Sequence, residues 1–332
     1  MLQVKCIQKI RDRNNRICQY ELQDKDGNTK TVYAHDLKKA IRQGQVYVTN
    51  LTLSSDGRLI DSVPDVKEIS SSTKIQSIFN KAKLLGIKPK MIPTECEHYC
   101  YLFSNKNEHI VVIPDNVKRL NDMDGRYFTK HIKDLYGTIR VVGGENLDSI
   151  QDMFSNCHFD VIDLKELDTS KVVSASNLFS NCEVETIRLP HNTGNMTDAF
   201  KMFHKCKTKS LDLSVLDTSN MKSMQSMFEL FTAESINFGR FDTRKTTDMT
   251  MMFHCCDVKN LDLTSFNTEK VDRADWMFAE CKAETIDLSS FNMRKTRFMQ
   301  YMFYNCNSNI TTSCQSVKKA IRDNWVVQDG GY

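Results

Sequence analysis

The chain has 332 residues, and its 45 Lys and Arg residues nearly balance its 42 Asp and Glu residues, giving a formal net charge of +3. Hydrophobic residues make up 40% of the chain, enough for a packed core, which excludes a wholly disordered protein. No apolar run approaches the roughly 18 residues of a membrane-spanning helix, and no signal-peptide core of about 7–15 apolar residues follows the N-terminus. We therefore expect a cytoplasmic protein without membrane contact, and the small net charge gives no support to a nucleic-acid partner.

Residues 1–61 are expected to form a small α+β module. Strand-like alternation occurs at residues 4–7, 17–22, 29–34 and 46–53. A short helix is predicted over residues 35–43, because Gly44 suits its C-terminal cap. The module is similar to short N-terminal modules of uncharacterised proteins from bacterial mobile elements, a resemblance that implies no activity.

Residues 62–73 are polar, contain three consecutive serines and are predicted to be a linker. An amphipathic helix is predicted over residues 73–85, with Gly86 directly after it. The segment that follows is expected to be irregular, apart from strands at residues 101–103 and 109–113. We expect residues 74–146 to act as the N-terminal cap of a repeat region.

A repeat of about 25 residues dominates residues 147–313. One phenylalanine marks each period, preceded by Met or Leu and followed three residues later by Cys in six of the seven copies. These phenylalanines are Phe154, Phe179, Phe203, Phe228, Phe253, Phe278 and Phe303. Their spacings of 25, 24, 25, 25, 25 and 25 residues are too regular for chance. Since one such unit cannot bury its own apolar side chains, the sequence predicts a solenoid of stacked coils.

Each period contains two apolar patterns. A triplet such as Leu211-Asp212-Leu213 predicts a short strand with one buried face. The second pattern has the spacing of one side of a helix and reads Met221, Met224, Met227, Phe228 and Phe231 in one copy. The polar residues 216–220 between the two patterns suit a helix cap. The predicted fold class is an α/β solenoid of strand-turn-helix coils, closed at its C-terminal end by a capping helix and tail in residues 314–332.

The repeats resemble those of BspA-type leucine-rich-repeat proteins. The resemblance is carried by the phrase Leu211-Asp212-Leu213-Ser214 through Phe228 and by Leu261-Asp262-Leu263-Thr264-Ser265-Phe266-Asn267-Thr268. It covers residues 147–306 and implies a right-handed leucine-rich-repeat array. Most members of that family are bacterial surface or secreted proteins that bind other proteins, so the resemblance implies a protein partner, of unknown identity.

The recurring cysteines are predicted to be packed, reduced thiols, because free Cys behaves as a small hydrophobe at an apolar position. They are Cys157, Cys182, Cys206, Cys256, Cys281 and Cys306. The groups His204-x-Cys206 and His254-Cys255-Cys256 fall on the same register, so we attribute their spacing to packing rather than to metal coordination.

The weak metal candidate of the sequence is Cys96, His98 and Cys100, with His109 further along. The second ligand pair that zinc knuckles use is missing. No phosphate-binding loop, dinucleotide fingerprint or nucleophile motif occurs in the sequence. We therefore expect no cofactor, no metal and no enzymatic activity, with an enzyme or zinc site in residues 62–146 as the alternative.

The column two residues before each repeat phenylalanine changes from polar to apolar along the chain. It reads Asp152, Asn177, Lys201, Ser226, Met251, Trp276 and Tyr301. Accessible aromatic residues are favoured in protein contacts, so Met251, Trp276 and Tyr301, together with Phe298, are predicted to bind the partner. The alternative is that the C-terminal helix covers Trp276 and Tyr301.

The acidic strand column Asp212, Asp262 and Asp287 is predicted to be solvated and to influence the association rate with a partner.

The function predicted from the sequence is a non-enzymatic protein-binding scaffold. Two alternatives remain open: a bacterial surface adhesin exported by a non-standard route, and a mobile-element-encoded inhibitor of a host or defence protein. The sequence does not fix the oligomeric state.

Overall fold

The computed structural model of the protein describes residues 2–11, 17–24, 29–34, 37–38, 46–48, 51–53, 59–61, 72–94, 98–121 and 127–328. The chain divides into two compact units, Met1–Ser71 and Ser72–Tyr332. Within the described ranges, no helix combines the length and the apolar character that crossing a bilayer demands.

The first unit is mainly a four-stranded sheet. Its strands are β1 (Leu2–Arg11), β2 (Ile17–Asp24), β3 (Thr29–Tyr33) and β4 (Val46–Val48), in the order β3-β2-β1-β4. β1, β2 and β3 are antiparallel neighbours, whereas β4 runs parallel to β1. Cys6, Tyr20, Leu22 and Leu37 are buried in this unit.

The prediction of one strand over residues 46–53 is wrong, because this segment contributes to two sheets. Residues 46–48 belong to β4, while β5 (Leu51–Leu53) pairs with β6 (Leu59–Asp61) in a separate antiparallel pair. Alternating apolar residues indicate an extended backbone, but they do not indicate which strand it pairs with. Of the helix predicted over 35–43, residues 37–38 are described and helical. The rest of that helix, Gly44 and most of the predicted linker lie outside the described residues.

The second unit begins with the predicted helix and is more regular than the sequence indicates. The elements are α1 (Thr73–Leu84), β7 (Lys90–Pro93), β8 (Tyr99–Asn105), β9 (Glu108–Ile113), α2 (Thr129–Ile132) and β10 (Thr138–Gly143). Phe79 of α1 lies edge-on to Tyr101 and Phe103 of β8, with ring centroids 5.4 and 4.9 Å apart. β7, β8 and β9 are antiparallel neighbours, and β10 lies parallel to β9.

The repeats form a β-solenoid of about seven turns. Each coil contributes one short strand, and these are β11 (His158–Leu167), β12 (Glu183–Arg188), β13 (Ser210–Asp212), β14 (Ser235–Asn237), β15 (Asn260–Asp262), β16 (Thr285–Asp287) and β17 (Asn309–Thr311). β7 to β14 form one eight-stranded sheet, and β15 to β17 form a three-stranded sheet. The predicted strand in each coil is therefore confirmed. Helix α3 (Gln315–Gln328) follows the last coil.

The prediction of a helix in each coil is wrong, because this segment is a succession of turns. In one coil, the amides of Met227, Glu229 and Phe231 donate to carbonyls three residues back, and the amides between them donate to the next coil. Ser226 and Leu230 both have a φ of 57°, a left-handed conformation that an α-helix does not contain. Positive φ recurs at the same two positions in every coil. Every second amide donates to a carbonyl of the neighbouring coil, so the apolar residues that have helical spacing in the sequence lie on consecutive turns.

The polar turn at residues 216–220 links coils instead of capping a helix. The buried Thr218 hydroxyl donates to the Asp242 carbonyl at 3.0 Å and accepts from the Asp242 amide at 2.7 Å. The same column holds four further buried threonines: Thr169, Thr193, Thr243 and Thr268. A hydroxyl that both donates and accepts across the coil boundary fixes the separation of neighbouring turns.

The repeat phenylalanines form a continuous stack through the solenoid. Centroids of successive rings lie 5.2–5.8 Å apart, and their planes are within 12° of each other. The six recurring cysteines are buried, free thiols, as predicted. Burial raises the pKa of Cys157 and of Cys281 to about 12, so these thiols are neutral at physiological pH.

Candidate functional site

Four aromatic side chains cluster on the turn segments of the last two coils and form what we call the aromatic strip: Trp276, Phe298, Tyr301 and Tyr304. The centroids of the Trp276 and Tyr301 rings lie 4.7 Å apart, and Tyr304 lies edge-on to Trp276 at 5.6 Å and to Tyr301 at 6.0 Å. Three of the four members thus pack directly on one another. The strip is a preformed surface of rings rather than a set of separate side chains.

The strip is accessible at its C-terminal end. Tyr301 is 41% exposed and Phe298 40% exposed, while Trp276 is half-buried. Helix α3 borders Tyr301 across a groove of about 620 Å³, which Gln300, Lys319 and Ala320 also line. The helix therefore flanks Tyr301 without covering it.

Cationic side chains surround Phe298. The guanidinium of Arg273 lies 5.2 Å and that of Arg297 lies 5.6 Å from the ring centroid. Arg297 also pairs with Asp272, with Nη2 and Oδ2 2.6 Å apart. These contacts hold the Phe298 ring at the surface, since cations over an aromatic face stabilise an exposed ring.

The backbone beneath the strip has a conformation that costs an aromatic residue free energy. Met251, Trp276 and Tyr301 have φ values of 56°, 57° and 55°, in the left-handed region. Asn177 has the same conformation in its coil, with φ of 55°, and asparagine is among the side chains that tolerate it best. The first four coils place polar residues here, so the solenoid itself does not require a ring at this position.

The acidic residues Asp212, Asp262 and Asp287 lie on the strand segments and serve the local backbone. Their carboxylates accept the amide two residues further on, at 3.0, 3.1 and 2.9 Å respectively. Such a hydrogen bond closes the turn that follows each strand. Asp212 and Asp262 are exposed and Asp287 is half-buried, so each combines this structural role with access to solvent.

A row of ionisable side chains, whose mutual contacts were not predicted from the sequence, runs beside the strip. His204, Glu229 and His254 each follow a repeat phenylalanine by one residue, in three successive coils. The Glu229 carboxylate lies between the two imidazoles, 3.2 Å from Nδ1 of His204 and 3.5 Å from Nδ1 of His254. Burial acts to raise the pKa of Glu229, but polar contacts from both imidazoles and from Ser226 outweigh it and hold that pKa at about 2.

The row meets the strip at His254. Its imidazole lies edge-on to Trp276 with centroids 6.2 Å apart. The next residue, Cys255, is half-buried and faces Glu280 of the following coil. The signal in the sequence was the column one residue after each phenylalanine, whose members matter only once adjacent coils are placed side by side.

The sequence's metal candidate is only partly described, because Cys96 lies outside the described residues. Cys100 is fully buried in β8, and burial raises the pKa of its thiol, so the neutral form is favoured. Both ring nitrogens of His109 have partners, Ser104 Oγ and the Tyr136 carbonyl, each at 3.0 Å. Cys100 therefore offers no thiolate and His109 no free ring nitrogen, while His98 is half-buried and bonds to Thr94 through its backbone carbonyl.

Comparison with known proteins identifies one family. The model of a family described as "Mycoplasma protein of unknown function, DUF285" matches three overlapping stretches, residues 103–214, 148–254 and 197–317. Together they cover residues 103–317, more than half of the chain. They begin within β8, well before the first repeat phenylalanine. No curated protein and no solved structure matches the chain.

Proposed function

The chain belongs to the family of Mycoplasma proteins of unknown function, DUF285, and from that premise we propose that it is a non-enzymatic protein-binding scaffold whose contact surface is the aromatic strip. The proposal includes the identity of the repeats as BspA-type leucine-rich repeats, the family whose members bind proteins. A solenoid suits this role because its stacked coils hold side chains on a rigid frame.

The observation that carries the proposal is the pair of rings on left-handed backbone. Trp276 and Tyr301 have φ values of 57° and 55°, where an L-residue costs about 1–2 kcal/mol. The left-handed conformation recurs in every coil, but the first four coils fill this position with polar residues, so the fold does not require the bulky rings that bear its cost here. Tryptophan and tyrosine are also the residues that contribute most to protein interfaces.

The accessible area supports a protein rather than a small-molecule ligand. The strip is a row of rings along successive turns, with Tyr301 and Phe298 each about two-fifths exposed. Met251 extends the row by one coil towards the N-terminus and is half-buried. A partner that lays apolar side chains across Tyr301 and Phe298 would exclude water from both rings, which is the source of affinity at such sites.

The test uses asparagine substitutions, because Asn177 shows that this residue suits the backbone of the column. The immobilised full-length chain is used to capture partners from a lysate of the native organism, and the affinity of each captured protein is then measured by titration. Trp276→Asn and Tyr301→Asn should each weaken the interaction by about 2 kcal/mol or more, which is about 30-fold. Lys201→Asn is the matched control, since Lys201 has φ of 54° in the same column but lies in the polar half.

Two results would contradict the proposal. One is a partner that binds wild type, Trp276→Asn and Tyr301→Asn equally. The other is a cross-linking footprint confined to residues 1–136. Cytoplasmic location belongs to the same proposal, and fractionation of the native cells separates it from an exported adhesin.

A further inference from the structure

Three potential metal ligands from two neighbouring coils meet beside the aromatic strip. Nε2 of His254 lies 3.5 Å from Sγ of Cys255, and Sγ of Cys255 lies 3.8 Å from Oε2 of Glu280. The three ligand atoms all lie within 4.8 Å of one another. Among the described residues, this is the group of His, Cys and acidic side chains whose atoms are close enough to share one ion.

Two of the three ligand-atom distances are close to the edges of a zinc coordination tetrahedron. Zinc bonds of about 2.3 Å to sulfur and about 2.0–2.1 Å to nitrogen or oxygen, at the tetrahedral angle, place two ligand atoms about 3.5 Å apart. The observed separation of 3.5 Å between Nε2 and Sγ equals this value. The separation of 3.8 Å between Sγ and Oε2 is slightly longer, and a small rotation of the Glu280 side chain would shorten it. The third pair, Nε2 and Oε2, lies within 4.8 Å, so binding of a tetrahedral ion would require the Glu280 carboxylate to move towards His254.

The second nitrogen of His254 lies near a carboxylate, as in established zinc sites, although it makes no hydrogen bond in this structure. Zinc-binding histidines use one ring nitrogen for the metal and turn the other towards a carboxylate, which fixes the ring. Nδ1 of His254 lies 3.5 Å from Oε1 of Glu229, and this leaves Nε2 directed at Cys255. On the opposite side, Nδ1 of His204 lies 3.2 Å from the other carboxylate oxygen of Glu229.

The charge around the thiol also favours a cation. Two carboxylates lie beside the ligands, because Glu280 Oε2 is 3.8 Å from Cys255 Sγ and Glu229 Oε1 is 3.5 Å from His254 Nδ1. The ammonium of Lys282 is paired with Asp257 at 3.5 Å. A divalent cation would neutralise the excess negative charge that Glu229 and Glu280 bring to this position.

We infer that His254, Cys255 and Glu280 form a zinc-binding site, with Glu229 as the residue that positions His254. The donor set of one thiolate, one imidazole and one carboxylate selects zinc over magnesium or calcium, which prefer oxygen ligands. Three protein ligands leave the fourth tetrahedral position to water or to a side chain of a partner. The site is separate from Cys96, His98 and Cys100 and does not depend on the proposed scaffold function.

The experiment measures zinc bound by the full chain under reducing conditions, without any protein partner. Wild type is equilibrated with zinc chloride, dialysed and analysed for metal, and its affinity is measured by competition with a chelator. We expect one equivalent of zinc at this site, and cobalt in its place should show a thiolate-to-metal charge-transfer band. Cys255→Asn should lower the affinity by more than about 100-fold, while Glu229→Gln, which only positions His254, should lower it by about 10–100-fold.

The asparagine at position 255 separates loss of the ligand from loss of the fold. Asn156, Asn181 and Asn305 occupy the same column, with φ values of 58°, 54° and 53°, so this substitution suits the backbone of Cys255 at 53°. Thermal unfolding of each variant checks that the fold is retained. Cys96→Ser and His158→Gln are the controls, since His158 also faces a carboxylate, Glu183, at 3.7 Å, but the adjacent Cys157 is fully buried and His158 belongs to no described group of ligands close enough to share an ion.

The outcomes separate clearly. Zinc that persists in Cys96→Ser and His158→Gln but is lost in Cys255→Asn supports the site. Equal zinc in wild type and Cys255→Asn, loss of zinc in Cys96→Ser alone, or a wild-type chain that retains no zinc would each overturn it.

Discussion

Trp276 and Tyr301 occupy equivalent positions in consecutive coils, and their rings lie 4.7 Å apart at an interplanar angle of 31°. The backbone beneath them takes part in the ladder common to all coils, since the Trp276 amide donates to the Gln300 carbonyl at 3.0 Å. That ladder involves main-chain atoms only. The ring pair is therefore an addition to the solenoid rather than one of its supports, and it can be altered without loss of the fold.

The same backbone geometry predicts a stabilising substitution elsewhere. Leu230 is 37% exposed and has φ of 57°, so it bears the cost of the left-handed conformation with only part of the benefit of burial. Leu230→Asn should stabilise the chain by about 1 kcal/mol, because asparagine adopts this conformation readily. The measurement is the free energy of unfolding in urea. Val173→Asn is the control: Val173 is 48% exposed with φ outside the positive range, so no gain is expected there.

The repeat register could be predicted from the sequence because it depends on spacing alone. The phenylalanine period, the short strands and the buried thiols of Cys157 and Cys256 are all confirmed. The helix in each coil could not be excluded in this way. Apolar residues three and four positions apart suit a helix and a series of turns equally, and only the carbonyls of the next coil decide between them. Asparagine at positions such as Asn156 and Asn181 was the available signal for left-handed backbone.

The candidate site was predictable in part. The aromatic column that ends in Trp276 and Tyr301 is visible once the repeats are aligned by their phenylalanines. The contacts of Glu229 with His204 and His254 cannot, because each side chain belongs to a different coil and none is unusual on its own. Electrostatic neighbours across coils are 25 residues apart in sequence, so their distances follow only from the stacking.

Removal of one hydroxyl from the threonine column should weaken the junction between two coils. Thr218→Val keeps the shape of the side chain but leaves the amide and the carbonyl of Asp242 without their partner. We expect a loss of about 1–3 kcal/mol in the free energy of unfolding, the cost of an unsatisfied buried polar group. Thr247→Val is the matched control, since Thr247 is exposed and its hydroxyl makes a long 3.4 Å contact with the Lys222 carbonyl. An equal effect of both substitutions would contradict a special role for the buried column.

The turn carboxylates should contribute to acid sensitivity. The Thr264 hydroxyl and amide lower the pKa of Asp262, and the Ser219 hydroxyl and amide lower that of Asp217, both from an ordinary value of 3.8. A pKa that is lower in the folded state means that the unfolded chain binds protons first as the pH falls. This contribution to stability is complete above about pH 4 and is lost as the pH falls through the lowered pKa values.

The double variant Asp217→Asn, Asp262→Asn isolates that contribution. Asn237 occupies the acidic strand column, and its side-chain oxygen accepts the Gly239 amide at 3.1 Å, so asparagine can close the turn without a charge. Urea midpoints measured between about pH 5 and about pH 2.5 should fall less for the variant than for wild type. Asp262→Ala, which removes the acceptor, should be less stable than wild type at neutral pH as well. Parallel pH profiles for wild type and the double variant would refute the assignment.

A buried thiol should be harder to replace than a half-buried one. Cys256 is completely buried, and burial raises the pKa of its thiol well above the ordinary value of 9.0. Cys256→Ser places a more strongly polar hydroxyl in the same apolar surroundings, which should cost about 1–3 kcal/mol in the free energy of unfolding. The control is Cys314→Ser, because Cys314 is half-buried and, although burial acts to raise its pKa, hydrogen bonds from the backbone of Met293, Val317 and Ser316 lower that pKa and can equally serve a hydroxyl. Urea unfolding of both variants under reducing conditions makes the comparison. If Cys256→Ser is as stable as Cys314→Ser, the thiol at position 256 is not held by apolar packing, and the explanation for the whole cysteine column is wrong.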